Sequence, residues 1–365
     1  MRIVYFGTYE RDYPRNAQVI SCLRRSGLGV VEMHVPVWEG RRNKFSPGLR
    51  PLARLGLAQL RLAASPRLGA DVLMVGYPGH ADMLAARLAA GGAPIVFNPL
   101  VSLEDTLVHD RRVVGRRSPV APAIRALDRW AFRSADLVVA DTRAHASYFA
   151  ERFELASERL AVCYVGAEDR VFRAEPRPEA PFHVLFVGTL IPLHGIETIL
   201  QAAALCPELE FRIVGSGQLD GLLSSTPVNI TWEPWIPYER LHEAYRSAGC
   251  ALGIFGTSQK AARVIPNKAY QALATATPLI TGDTPATREL LADGRDALLV
   301  PPGDPGALAE AVRALAADRE LRERIAAGGR ATYEAHASED VLGRRWRKIL
   351  EDLVAGSSRA GGNGR

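Results

Sequence analysis

Residues 182 to 217 limit the fold more than any other stretch. His183–Val187 is an unbroken apolar run, and Gly188-Thr189 ends it. A loop over 190–195 leads into 196–205, whose apolar residues have helical spacing; a second apolar run over 211–214 is closed by Gly215 and Gly217. Strand, glycine turn, helix, strand, glycine turn predicts a βαβ unit. Glycine lets a backbone approach phosphate, and a helix start offers free N–H groups at the positive end of its dipole. Gly188, Thr189, Gly215 and Gly217 are therefore candidates to hold a phosphorylated ligand. The amino terminus repeats the phrase: residues 2–8 align with 183–189 and place Gly7-Thr8 where Gly188-Thr189 stand. Two such starts, half a chain apart, predict two similar α/β domains.

The rest of the chain keeps the alternation, which predicts parallel sheets. A length of 365 residues suits two domains. The expected division is 1–172, a proline-rich charged linker over 173–181, a second domain over 182–338, a terminal helix over 339–355 and a disordered tail over 356–365. Long polar loops at the carboxyl ends of strands are where an α/β domain puts its ligand. The first, over 7–16, offers Tyr9, Arg11, Tyr13 and Arg15. The second, over 98–112, offers Ser102, Asp105, His109 and Asp110.

Composition removes several classes. Apolar content of 47% with 23% charged residues is that of a soluble globular protein. Cys22, Cys163, Cys206 and Cys250 are scattered, which argues against a disulfide framework or zinc site and for a reducing compartment. Met1-Arg2 runs straight into a strand, so no signal peptide is expected, and no apolar run reaches the roughly 18 residues of a membrane span. A cytoplasmic protein is expected. The net charge of +5 does not make a nucleic-acid binder. Residues 40–70 carry Arg41, Arg42, Lys44, Arg50, Arg54, Arg61 and Arg67 with no acid, interleaved with leucines. This fits either a helix packed on the sheet or a peripheral contact with an anionic inner membrane face.

Motifs for other chemistries are missing or weak. Gly215-Ser216-Gly217 begins G-x-G-x-x-G, but Asp220 ends it; no P-loop, G-x-S-x-G, H-E-x-x-H or metal-ligand spacing occurs. Arg263 and Lys268 flank Val264-Ile265-Pro266-Asn267 where a loop becomes a helix. Two cations at a helix start suit a diphosphate, and Gln271 one turn on could bond sugar hydroxyls.

The second half resembles the nucleotide-sugar domain of family 4 retaining glycosyltransferases of bacterial type, with the GT-B fold. The likeness runs through Val187-Gly188-Thr189, His194-Gly195-Ile196, Ile213-Val214-Gly215-Ser216-Gly217, Trp235-Ile236-Pro237 and Ile265-Pro266-Asn267-Lys268-Ala269-Tyr270-Gln271. It implies an α/β protein of two Rossmann-like domains facing an interdomain cleft. By the same likeness the 188–189 turn and His194 approach the donor diphosphate, with Asn267 beside it; Trp235 and Ile236 hold the base, Gln271 the ribose. Gly7 and Thr8 face the donor from the other domain. The family commonly has Arg at 189, Lys at 194 and Glu at 264 and 271, so phosphate contact is expected to pass to Arg263 and Lys268. Ser102, Asp105, His109 or Asp110 would stand near the reacting sugar, and Tyr9, Tyr13 and Arg15 on the acceptor side. The implied reaction moves a sugar from a uridine or guanosine diphosphate donor to a hydroxyl acceptor, without metal or other cofactor. A sugar-nucleotide epimerase and a non-catalytic nucleotide-sugar binder share the architecture and remain alternatives.

Overall fold

The computed structural model describes residues 1–39, 49–65 and 69–362. Arg41, Arg42, Lys44 and Arg67 of the basic stretch lie outside the described residues. The chain divides into two compact units: Met1–Tyr164 with the chain from Glu339, and Val165–Ser338.

The first unit is a six-stranded sheet in the order β2-β1-β3-β4-β5-β6, every pair parallel. Its strands are β1 (Arg2–Gly7), β2 (Gly29–His34), β3 (Val72–Val75), β4 (Ile95–Phe97), β5 (Leu137–Ala140) and β6 (Leu160–Val162). Helices cover both faces, which is why β1 and β3 read as unbroken apolar runs. On one face Ile3 and Tyr5 pack with Val19 and Leu23 of α1 (Pro14–Arg25) and with Leu342, Trp346 and Ile349 of α11 (Glu339–Gly362). On the other, Val4 and Phe6 pack with Leu62 of α2 (Leu49–Ala63), Met83 of α3 (Asp82–Ala89), Phe132 of α4 (Val120–Ser134) and Phe149 of α5 (Arg143–Phe153). The terminal helix lies so close to α1 that a Cβ on Gly343 would meet the Cys22 carbonyl at 2.6 Å. It continues to Gly362, where a disordered tail from 356 was expected, because extending a formed helix costs far less than nucleating one.

The second unit repeats the plan, in the order β12-β11-β10-β7-β8-β9, again all parallel. Its strands are β7 (His183–Val187), β8 (Glu210–Val214), β9 (Ile230–Glu233), β10 (Cys250–Leu252), β11 (Leu279–Gly282) and β12 (Leu298–Val300). Its helices are α6 (Ile196–Leu205), α7 (Leu241–Ser247), α8 (Asn267–Ala274), α9 (Pro305–Ala317) and α10 (Arg319–His336). The expected linker and the residues just before it pack within the second unit. The Phe172 ring packs on Tyr238 and Tyr245, Glu168 accepts the Tyr238 hydroxyl at 3.1 Å, and Arg177 donates to the carbonyls of Ala248 and Ala276. The second compact unit accordingly begins at Val165.

In each sheet the strand order reverses beside the first strand, between β1 and β3 and between β7 and β10. Loops leaving those carboxyl ends diverge to opposite faces and open a crevice for a ligand. Gly7 and Gly188 stand at these two points. Among the described residues no helix is long and apolar enough to cross a membrane.

Candidate active site

At the second switch point Gly188 ends β7 with φ +152°, and its N–H goes to the Val214 carbonyl at 2.9 Å. A Cβ there would stand 2.6 Å from Lys268 Nζ. Lys268 lies in the first turn of α8, which starts just after Pro266. Its ammonium is buried, 3.9 Å from the centre of the Phe186 ring, and has no hydrogen-bond partner. Burial alone pushes its pKa well below the usual ammonium range. The leading N–H groups of α8 also lack intrahelical acceptors. The start of α6 is drawn in beside them: Gly195 abuts the Phe255–Gly256 backbone, and the Phe255 N–H donates to the His194 carbonyl at 3.1 Å. The Lys268 amine has the Phe186 ring face beside it and no hydrogen-bond acceptor, so an anion brought there would favour its charged form.

The other expected contacts are rearranged around this point. His194 turns Nδ1 to the Thr189 carbonyl at 2.5 Å, and Thr189 is exposed. Arg263 is half-buried, at the end of the 3-10 turn Ala261–Arg263. Gly215 and Gly217 do not offer their N–H groups to a ligand, because Glu233 O and Asp220 Oδ1 take them. They are glycine because the 188–190 turn packs on them, the Gly188 carbonyl 2.2 Å from where a Gly215 Cβ would be. Gln271 is buried, and its Oε1 accepts the Tyr245 hydroxyl at 3.0 Å. Trp235 is 70% exposed just beyond β9, with Ile236 half-buried beside it, and Asn267 is half-buried as the first residue of α8.

The first switch point is filled differently. Gly7 has φ +128°, and a Cβ there would meet Asp82 Oδ2 at 2.5 Å. Thr8 is buried and gives Asp82 both its N–H (2.8 Å) and its hydroxyl (3.0 Å). Gln59 Nε2 adds a third donor at 2.6 Å, while Trp38 Nε1 donates to Thr8 Oγ1. Burial raises the Asp82 pKa to about 6 despite these donors. The Gly7-Thr8 turn, expected to face a donor, is occupied by a carboxylate of its own unit. Asp82 is not among the residues singled out from the sequence.

Several acceptor-side expectations are corrected. Arg15 is fully buried, donating to Asn98 Oδ1 at 2.9 Å and the Tyr164 carbonyl at 3.1 Å with its guanidinium 5.9 Å from the Trp346 ring. Tyr9 is buried and donates to Glu32 at 2.9 Å, a carboxylate that also holds Arg11. Ser102 is buried under Asp128, donating to it at 2.7 Å. In each case a carboxylate, amide or carbonyl from a distant element takes the polar group away from the surface. Tyr13 stacks on Tyr77, rings 4.7 Å apart. Asp105 is buried in a π-helical turn over Asp105–Asp110, and His109 is exposed beside Glu104. Sequence reasoning missed His80, buried at the exit of β3 with Nε2 3.3 Å from Asp128, its pKa lowered by burial. Its signal was position: a lone histidine just past the strand beside β1.

Residues 3–166 match the family described as Glycosyl transferase 4-like domain, and residues 181–318 the family Glycosyl transferases group 1. The chain is 27% identical over 347 residues to a D-inositol 3-phosphate glycosyltransferase of Nocardioides sp., covering 83% of this chain and 71% of that protein. Over three further relatives the aligned span takes in 65%, 55% and 61% of their length. Among solved structures, sucrose-phosphate synthase from Thermosynechococcus elongatus superposes with a TM-score of 0.76 at 16% identity, over 97% of this chain and 99% of that one. HepE from Anabaena, solved with UDP-glucose, does so at 0.71 and 14%, over 97% and 100%. With both halves matched in order on two parallel α/β units, the chain belongs to the family 4 glycosyltransferases of the GT-B fold.

Proposed function

We propose that the protein moves a sugar from a nucleotide-diphosphate donor to a hydroxyl acceptor, retaining the anomeric configuration and using no metal. The observation that carries this is the Lys268 ammonium, buried and unpartnered against Gly188 at the switch point of the second sheet. A donor diphosphate seated there would meet that cation and the starts of α6 and α8. As the bond from the sugar's anomeric carbon to the phosphate oxygen breaks, negative charge grows on the departing phosphate. Groups fixed at that phosphate favour the transition state over the ground state. The acceptor oxygen bonds to the anomeric carbon on the same face, and its proton passes to the leaving phosphate. Arg263 is the second cation of this scheme, and Trp235, Ile236, Asn267 and Gln271 form its nucleoside side. The UDP-glucose complex of HepE supports a uridine donor. The name of the Nocardioides relative, a D-inositol 3-phosphate glycosyltransferase, supports a polyhydroxylated acceptor.

The test is a screen of UDP- and GDP-sugars with polyol and glycan acceptors, the product anomer read by NMR. Retained configuration, turnover undiminished by EDTA and heavy loss in Lys268→Ala/Arg263→Ala are expected. Inversion, metal dependence or unchanged turnover in that double variant would each overturn the corresponding part.

A further inference from the structure

The outer sides of α2 and α3 are not used by the fold or by the proposed reaction. The two helices lie against each other, and their inner sides share one core: Leu62 of α2 and Met83, Ala85 and Ala86 of α3 pack with Val4, Phe6 and Phe97. Their opposite sides therefore face solvent together. Leu57 and Leu60 on α2 and Leu84 and Leu88 on α3 are each more than half exposed. Their spacings, three and four residues, put each pair on one side of its helix. Among the described side chains these are all the exposed leucines of the first unit. Single exposed leucines need no explanation, but four on two adjoining helices form a patch.

The charge on this patch has one sign. Arg54 and Arg61 of α2 and Arg87 of α3 are exposed, and α2 contains no acidic residue. The single acid of α3, Asp82, is buried on the inner side, held by Thr8 and Gln59. We infer that this face docks on a lipid bilayer carrying anionic headgroups, leucines entering the headgroup boundary and arginines meeting the phosphates. The complementarity selects that occupant. Leucine interleaved with arginine and no exposed acid suits a surface that is apolar beneath and anionic above. A second copy of the same face would set arginine against arginine. Docking here is independent of the proposed reaction, although Gln59 on the inner side of α2 joins the helix through Asp82 to the turn after β1.

The experiment is sedimentation of the full chain with vesicles of phosphatidylcholine alone or mixed with phosphatidylglycerol. Binding to the mixed vesicles is expected, weakening as salt is raised, with little binding to phosphatidylcholine. Leu57→Gln/Leu60→Gln/Leu84→Gln/Leu88→Gln and Arg54→Gln/Arg61→Gln/Arg87→Gln should each lower partition at least about tenfold. All seven side chains are exposed, so both variants should keep the wild-type melting curve, which checks folding. Wild-type protein left in the supernatant with mixed vesicles overturns the proposal, as does equal sedimentation of either variant. A dimer in gel filtration that the leucine substitutions dissolve, without vesicle binding, assigns the face to self-association instead.

Discussion

Two turns of the same sequence type, Gly7-Thr8 and Gly188-Thr189, end the first strands of two sheets built to one plan, yet opposite charges press on them. At Gly188 the nearest group is the Lys268 ammonium, and at Gly7 it is the Asp82 carboxylate. Each glycine has positive φ and no room for a Cβ. The difference lies in how the charge is satisfied. Asp82 takes hydrogen bonds from Thr8 and Gln59, so the first turn is closed on itself. Lys268 has no hydrogen-bond partner, so the second turn is left open, and under the proposed reaction a donor diphosphate completes it. One plan thus yields a locked turn and an open one, and the choice rests on one side chain delivered by a neighbouring helix.

The comparison breaks most readily at Lys268. Lys268→Ala should cut turnover by roughly 10²–10³-fold, the usual cost of one charge-stabilising group at a leaving oxyanion. Stability should hold or rise, because a buried amine without a hydrogen-bond partner is removed. Steady-state kinetics beside urea melts would decide it. Wild-type turnover in this variant would make the two turns equivalent after all.

Asp82→Asn tests the other turn. With its folded pKa raised to about 6 and an unfolded value near 4, the native state holds the extra proton between those limits. Wild-type stability should therefore fall as pH rises from about 4 to 6, by on the order of 2–3 kcal/mol, and level off above. The asparagine variant cannot titrate, so its curve should be flatter over that window. Urea melts from pH 4 to 7 measure both; parallel curves would remove the argument from burial.

Gly7→Ala and Gly188→Ala sharpen the contrast, each carrying about 1–3 kcal/mol of backbone strain. At position 188 the added methyl meets the far end of a flexible lysine, which can withdraw. The variant should lose activity more than stability. At position 7 it meets a short carboxylate held by several hydrogen bonds, so stability should suffer more. Melting temperatures and kcat for the pair would show a crossed pattern; equal losses in both readouts would refute it.

How much of this was legible depended on distance along the chain. Strands covered on both faces write themselves as apolar runs ending in glycine, so the two α/β halves were readable. The place of Lys268 at a helix start was readable because Pro266 marks that start. The Asp82 lock was not, since its partner Thr8 lies 74 positions away and only the crossover from β1 to β3 joins them. Arg15 misled for the same reason. An arginine in a polar loop is ordinarily exposed, but this one finds Asn98 and the Tyr164 carbonyl 83 and 149 positions on.

The smallest effect concerns proton uptake. Burial lowers the Lys268 pKa in the free protein, and a bound diphosphate raises it again by pairing with the ammonium. Binding UDP should therefore take up a proton wherever the free amine is neutral. Where the free amine has lost its proton and the phosphate itself no longer titrates, the Kd for UDP should rise with pH, approaching but not exceeding tenfold per unit. Calorimetry in buffers of different ionisation enthalpy would count the proton directly. Lys268→Gln should bind more weakly and lose the slope. A slope surviving in that variant would assign the proton to another group, leaving the second turn no less self-contained than the first.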